Sequence, residues 1–360
     1  VLTFDQTLEQ LKQSRKVFIA THIQTDGDAV GSALGLTWAL RKIGKTVNVA
    51  LHDHVSKAFD FLPGYAELTA KFPTDEDLIV FVDGSSPDRF GPAYDPARFG
   101  SRPVLEIDHH ATNEKFAPLN YIDGHAASCA EIIYRMICAL NVPCDQTIAQ
   151  CLLTDIVTDT LGFRTTSTTT DTLQAATDLV RLGGSISTII ERVFNQVPLN
   201  SLRLRGRILS EAQLDGVILW AQISQKQLRE FSIENNGTGG VINQLLSVDQ
   251  SKIAVTFIEK EDGSVEVGFR ARPGYDVAGV AALVFAAADN SITPSEVRTI
   301  LFNSAQDLGA VGWDKYFGYG LVDAEAAMDL VVPQTPTTFT ISGNAGRNDV
   351  TMSGLPGNPV

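Results

Sequence analysis

A chain of 360 residues holds material for two moderate cores more readily than for one large one, since single domains usually run to about 50–250 residues. Hydrophobic residues at 44% and charged residues at 19% exclude a disordered chain. The formal net charge of -14 repels polyanions at long range and argues against any surface for long nucleic acid, although cations and a few arginines can reverse the field locally for a small anion.

Along the chain, Thr3 to Arg15 carries Leu8 and Leu11 at helical spacing, and Val17 to Ala20 is an apolar run that reads as a buried strand. The pattern predicts a helix over Ala29–Arg41 ended by Gly44, then strands over Thr46–Leu51, Leu78–Val82 and Val104–Ile107. Helices follow over Ala126–Leu140, Asp145–Val157 and Asp171–Leu182, stopped by Gly183-Gly184. Alternation of strand and helix implies a parallel α/β sheet. Cys129, Cys138, Cys144 and Cys151 match no zinc spacing and read as buried reduced thiols.

Residues 186–205 read as a connector into a second, smaller α/β domain. That domain has a strand over Gly216–Gln222, a glycine-rich turn at Gly237–Gly240 entering a helix, and paired strands Ile253–Glu259 and Ser264–Arg270. Beyond Gly274 the chain turns Ala-rich, then Gly- and Tyr-containing, and from Val332 it is a polar tail expected to be frayed or extended. No uninterrupted apolar run of about 18 residues suggests a membrane span, and no charged segment leads into an apolar start, so a cytoplasmic location is expected.

Four acidic or histidine clusters fall after strands or in a loop near the sheet's end: His22 with Asp26 and Asp28; Asp83; Asp108-His109-His110; and Asp159. Ligands of open α/β sheets sit beyond the carboxyl ends of the strands, where these groups converge. Isolated buried carboxylates are expensive, so several at one sheet edge require cations or tight pairing. Carboxylate and imidazole ligands suit Mn²⁺, and a carboxylate shared by two ions serves in-line phosphoryl chemistry; Asp83, at the end of a central strand, is the natural bridge.

The segments His22-Ile-Gln-Thr-Asp26-Gly-Asp28-Ala-Val-Gly31-Ser32, Val82-Asp83, Asp108-His109-His110 and Thr158-Asp159-Thr160 resemble, in order, the four motifs of the DHH phosphoesterase superfamily. Within it the chain looks most like the branch of oligoribonucleases that also act as 3′-phosphoadenosine 5′-phosphate phosphatases, over roughly residues 1–275. The resemblance implies a parallel-sheet DHH catalytic domain over 1–185 and a partial substrate-binding domain over 206–276. It makes His22, Asp26 and Asp83 ligands of one ion, and Asp28, Asp83, His109 and Asp159 ligands of a second. His110 would face the substrate phosphate, with Asp108 orienting a histidine or holding the loop. The implied cofactor is two Mn²⁺ ions, with Mg²⁺ or Co²⁺ as alternatives, and the nucleophile is metal-activated water. The implied partner is a small nucleotide or short single-stranded oligonucleotide, with a homodimer allowed and no membrane.

Arg89 and Arg164 are candidates for phosphate binding or for support of the fold. In the second domain, Gly237-Thr-Gly239-Gly240 and Val267-Gly-Phe-Arg270-Ala-Arg272 resemble the family's substrate-binding segments, the arginines being expected to meet a nucleotide. The Gly-Gly-Gly-His loop that relatives carry after a stretch like Tyr275-Asp276-Val277 does not occur here. Residues 277–331 instead resemble the end of a subtilisin-like protease domain without its nucleophile, which leaves this C-terminal segment atypical and proteolysis unsupported. The alternatives are hydrolysis of pyrophosphate or cyclic dinucleotides at the same centre, and a catalytically impaired nucleotide-binding or structural protein.

Overall fold

A computed structural model of the protein describes residues 1–23, 25–53, 55–233, 240–261, 264–272 and 275, together with the backbone of 340–343 and 349–356. The chain divides into two compact units, Val1–Gln196 and Val197–Val360.

In the first unit α1 (Phe4–Gln13) leads into β1 (Lys16–Thr21), α2 (Gly27–Lys42) and β2 (Thr46–Ala50). There follow β3 (Leu78–Val82), the single turn α3 (Pro96–Phe99), β4 (Val104–Asp108) and β5 (Leu119–Ile122). The remaining helices are α4 (Cys129–Ala139), α5 (Gln146–Asp159), α6 (Thr170–Arg181) and the short α7 (Ile186–Ile189), which continues as a π-helix over Ile190–Asn195. The five strands are all parallel, in the order β2-β1-β3-β4-β5.

Both faces of the sheet are covered, so β1, β3 and β4 read as unbroken apolar runs with alternate residues facing different cores. Val17, Ile19, Val80, Val82, Leu105 and Ile107 join the core made with α2, α4 and α5. Phe18, Ile79, Phe81 and Val104 pack into a second cluster with Phe90 and Phe99 on the other side. β5 was not anticipated from the sequence, because Leu-Asn-Tyr-Ile carries no apolar run.

Residues 186–205, expected as a connector, are largely helical. Ile189 is fully buried, and Val193 and Phe194 pack on the first core, which is why the first unit extends to Gln196. Of the four cysteines, all unpaired, only Cys129 and Cys151 are buried; Cys138 is exposed and Cys144 half-buried, because α4 ends at Ala139 and both follow or face its solvent side.

The second unit comprises α8 (Leu199–Glu211), β6 (Gln213–Asp215), β7 (Ile218–Ile223), α9 (Gln225–Glu230), α10 (Val241–Ser247), β8 (Ile253–Glu259), β9 (Ser264–Ala271), β10 (Thr340–Gly343) and β11 (Asp349–Pro356). Its sheet runs β10-β11-β9-β8-β7-β6, parallel only between β7 and β8. Leu204 and Ile208 of α8 and Val241 and Leu245 of α10 cover it. Part of the tail beyond Val332 is therefore ordered as strand: Thr340–Gly343 and Asp349–Pro356 pair antiparallel, and the latter pairs with β9. Residues 277–331 lie outside the described residues. Among the described residues no helix is long and apolar enough to cross a membrane.

Candidate metal centre

Because β1, β3 and β4 are adjacent and parallel, the residues at their carboxyl ends meet. His22 follows Thr21, Asp83 follows Val82, and Asp108 ends β4 with His109 and His110 immediately beyond. The Thr21 hydroxyl donates to the Val82 carbonyl at 2.9 Å, and the Asp83 N–H to the Ile107 carbonyl at 3.1 Å, so the three ends are stitched at the site itself. Asp83 has φ of +60°, a left-handed conformation that costs a non-glycine residue about 1–2 kcal/mol and turns the chain out of the strand.

Two helices deliver the other carboxylates. Asp26 is the N-cap of α2, accepting from the Ala29 N–H at 3.1 Å, and Asp28 lies in the first turn. Asp159 is the last residue of α5, not a loop residue as the sequence suggested. The glycines of α2 set the helix spacing. A Cβ on Gly27 would stand 2.4 Å from the Thr158 hydroxyl, and one on Gly31 would stand 2.6 Å from both the Asp155 Cβ and the Cys151 carbonyl oxygen. Only glycine allows α2 this close to α5, and that approach brings Asp28 and Asp159 to His109.

His22 Nε2 lies 3.4 Å from Asp83 Oδ2 and 3.7 Å from Asp26 Oδ1. His109 Nε2 lies 3.3 Å from Asp28 Oδ2, 3.7 Å from Asp83 Oδ1 and 4.0 Å from Asp159 Oδ2. Asp83 thus turns one oxygen to each histidine. The His22 Nδ1 is 2.6 Å from the Ile23 carbonyl and His109 Nδ1 is 3.4 Å from that of Ala126. A carbonyl only accepts, so Nδ1 donates and each neutral ring aims its Nε2 lone pair into the carboxylates.

That arrangement calls for positive charge. Without a cation the rings must take protons: burial opposes this, yet Asp26 and Asp83 push His22 up to about 10, and Asp28, Asp159 and Asp83 raise His109. Asp83 is itself raised by burial and by the nearby Asp28 carboxylate, although His22 pulls it back. Both Asp28 carboxylate oxygens and His109 Nε2 are buried with no hydrogen-bond partner among the described residues. Each such orphan costs about 1–3 kcal/mol, more when charged. Ligand atoms of His22, Asp26 and Asp83 lie within 4.8 Å of one another, as do those of Asp28, His109 and Asp159. Each of these donor sets, carboxylate oxygens with one imidazole nitrogen, suits a divalent cation.

Ligand atoms of a third group, Asp83 with Asp108, His109 and His110, also lie within 4.8 Å of one another. Asp108 is nevertheless fully engaged. Its Oδ1 accepts the His109 N–H at 2.8 Å and His110 Nδ1–H at 2.6 Å, and its Oδ2 accepts from Asn113 Nδ2 at 2.6 Å. Burial works against its ionisation, but His110 and His109 hold its carboxyl well below the usual carboxylate range. The Asp108 charge in turn raises His110 against the cost of burial.

Comparison with known proteins agrees with this geometry. The DHH family, N-terminal domain, matches residues 16–156. The bifunctional oligoribonuclease and PAP phosphatase NrnA of Thermus thermophilus is 30% identical over 274 residues, 74% of this chain and 79% of the relative. The chain belongs to the DHH family of phosphoesterases. A second DHH relative, the bifunctional oligoribonuclease and PAP phosphatase NrnA of Bacillus subtilis, is 25% identical over 265 residues, 71% of this chain and 81% of that one. The DHH fold also superposes on the crystal structure of an exopolyphosphatase-related protein from Bacteroides fragilis with a TM-score of 0.72 at 22% identity, covering 78% of this chain and 86% of that chain. The subtilase family matches residues 276–320, outside the described residues.

The DHH centre thus gathers His22, Asp26, Asp28, Asp83, Asp108, His109, His110 and Asp159. Arg89, half-buried, is close enough to His22 for its charge to act on the ring, and its carbonyl accepts the Ile23 N–H at 2.8 Å. Arg164 is exposed and its Nε donates to the Leu161 carbonyl at 2.6 Å, bracing a loop in which Leu161 and Phe163 have positive φ. In the second unit Arg270 lies on β9 opposite Ala254, and Arg272 Nη2 donates to the carbonyls of Leu246 and Val248, capping the end of α10. Gly240, with φ of +88°, is the N-cap of α10; Gly239 lies outside the described residues.

Two buried residues at the DHH centre were not anticipated. Asp155 stands behind Asp28, where burial and that carboxylate raise it well above the usual range, and its Oδ2 accepts the Ala130 N–H at 3.0 Å. Its signal was its place four residues before Asp159, on the same helix face. Asn113 binds Asp108, and its only sequence signal was proximity to the Asp-His-His triplet.

Proposed function

We propose that this protein hydrolyses phosphate esters of short oligonucleotides and of small nucleotides such as 3′-phosphoadenosine 5′-phosphate, with two Mn²⁺ ions as cofactors. The observation that carries the reading is Asp83, which offers separate oxygens to two buried histidine-carboxylate groups while Asp28 and His109 hold orphaned polar atoms. His22, Asp26 and Asp83 would hold one ion, and Asp28, Asp83, His109 and Asp159 the other. When bound, the cations supply Lewis-acid polarisation and a nucleophile activated at neutral pH. The two imidazoles favour Mn²⁺ over Mg²⁺, which prefers an all-oxygen shell.

His110 would act on the substrate. Asp108 occupies its Nδ1, so Nε2 is the ring nitrogen left to hold a proton for the phosphoryl or leaving oxygen. Arg89, beside His22, would orient a phosphate oxygen. Substrate capture is weakened in this chain, because the segment after Tyr275 holds no Gly-Gly-Gly-His sequence and matches the subtilase family instead. The reading of the NrnA relatives as oligoribonucleases and PAP phosphatases supports the substrate class.

The test is a metal-by-substrate screen on the purified full chain. Mn²⁺, Mg²⁺ and Co²⁺ are crossed with 3′-phosphoadenosine 5′-phosphate, short single-stranded RNA, pyrophosphate and a cyclic dinucleotide. Turnover of the first two with Mn²⁺ is expected, with Asp83→Asn reducing it by more than about 100-fold, beyond the loss usual for a residue that only supports a ligand. Preference for pyrophosphate or the cyclic dinucleotide would replace the substrate class, and hydrolysis unchanged in Asp83→Asn would overturn the mechanism.

A further inference from the structure

Glu106 is fully buried on β4, two residues before Asp108, so both carboxylates leave the same face of the strand. It belongs to neither ligand group, and the proposed reaction does not use it. Asn113 joins the two. Its Nδ2 lies 2.6 Å from Glu106 Oε1, 2.6 Å from Asp108 Oδ2 and 3.3 Å from the Gly84 carbonyl.

A side-chain amide has two N–H donors, so the two short bonds consume both and the Gly84 carbonyl is left a weak shared contact. The orientation of the amide is not arbitrary. Turned over, its oxygen would face two carboxylates, and the Lys115 N–H, now 2.6 Å from Oδ1, would face an NH₂ group. The Asn113 N–H also donates to the His110 carbonyl at 3.1 Å, so the residue is anchored to the loop whose side chains it aligns. With Oδ1 of Asp108 bound by His109 and His110 and Oδ2 bound by Asn113, the carboxylate has no freedom to rotate. The direction of the His110 ring then depends on Asn113, and that of Asn113 on Glu106.

We propose that Asn113 and Glu106 are positioning residues for His110, fixing Asp108 so that the imidazole presents Nε2 to the substrate. The kinetic part of this rests on the phosphoesterase reading. Asn113→Ala is expected to lower kcat about 10- to 100-fold, as removal of such outer partners typically does, with KM and Mn²⁺ affinity nearly unchanged. Glu106→Gln keeps an oxygen for the Asn113 amide and should retain kcat near wild type. Glu106→Leu removes that acceptor and should behave like Asn113→Ala.

A spectroscopic readout separates the two claims. The protein has six histidines, so selective ¹⁵N-histidine labelling resolves the His110 Nδ1–H bonded to Asp108. That resonance is expected to shift or broaden in Asn113→Ala and Glu106→Leu and to persist in Glu106→Gln. An unchanged resonance in both disruptive variants, or a fall in melting temperature with kcat and the resonance preserved, overturns the positioning role. Absence of turnover in the wild type overturns the phosphoesterase reading while the resonance still decides the positioning. Should Asn113→Ala fail to fold, the Glu106→Leu and Glu106→Gln pair gives the same decision.

Discussion

Replacing Gly31 by alanine tests directly whether the packing of α2 on α5 sets the metal centre. The added methyl would sit 2.6 Å from the Asp155 Cβ, 2.6 Å from the Cys151 carbonyl oxygen and 2.8 Å from the Asp155 nitrogen. Two of these atoms are backbone and the third is bonded directly to it, so no rotamer change relieves the clash. Carbon atoms rest at about 3.5–4.0 Å, and α2 must therefore retreat by roughly 1 Å. Asp28, one turn earlier on the same helix, retreats with it from His109, now at 3.3 Å. Overpacking of this kind costs about 1–3 kcal/mol, and a unit of this size loses about 2–4 °C per kcal/mol, so the melting temperature should fall by about 2–12 °C. Displacing a ligand should weaken Mn²⁺ by about 10- to 100-fold, or about 1.4–2.8 kcal/mol. Calorimetric melting and Mn²⁺ titration read both effects. Gly206→Ala is the control: among the described residues nothing beyond its own stretch of α8 lies within 4 Å of its Cβ position, so it should gain about 0.5–1 kcal/mol. A Gly31→Ala protein that melts and binds Mn²⁺ like the wild type would refute the packing argument.

On the proposed reading Mn²⁺ should stabilise the protein, because it would satisfy buried groups that have no hydrogen-bond partner among the described residues. At about 100 times Kd the gain is about 2.7 kcal/mol, or about 5–11 °C for a unit of this size, reversed by a chelator; no shift at saturating metal would count against the centre. Glu106 predicts a separate pH dependence. Burial pushes its carboxyl from 4.5 up to about 8, the Asn113 bond opposing and the Asp108 charge adding. The folded chain keeps this proton where the unfolded chain has lost it, so the contribution is full below about pH 4.5 and disappears as pH rises through about 8. Denaturant titrations of the metal-free protein should show stability falling across that window, and Glu106→Gln should flatten the fall; identical slopes in the two proteins would contradict the assignment.

The strands that carry the site were legible in the sequence because a parallel sheet buried on both faces demands uninterrupted apolar segments. Leu78–Val82 satisfies that demand and is the observed β3. The clustering of His22, Asp83 and His109 was legible for the same reason, since each follows such a segment. Strand order was not, because which strands lie side by side depends on contacts between segments tens of residues apart. β5 escaped notice because its four residues, interrupted by Asn120, form no apolar run and lie at a sheet edge. Asp159 was placed in a loop because Thr158-Asp159-Thr160 has turn-like composition, yet α2 packing carries α5 two residues further than its apolar pattern. Arg272 shows the opposite limit: an arginine suited to a phosphate instead donates to the carbonyls of Leu246 and Val248, a choice fixed only by tertiary position.

The separation of roles at the centre rests on the partners of two aspartates that composition cannot tell apart. Asp28 and Asp108 are 3% and 0% exposed, and both approach His109. Asp108 has each oxygen committed to N–H donors, so a cation binding there would have to break bonds that already compensate its burial. Asp28 instead faces titratable groups, His109 Nε2 at 3.3 Å and the Asp155 carboxyl, with no backbone or amide donor among the described residues. A cation beside Asp28 would compensate its burial, whereas the burial of Asp108 is already compensated by its N–H donors. On the proposed reading, metal capture and proton placement would then not compete for the same carboxylate.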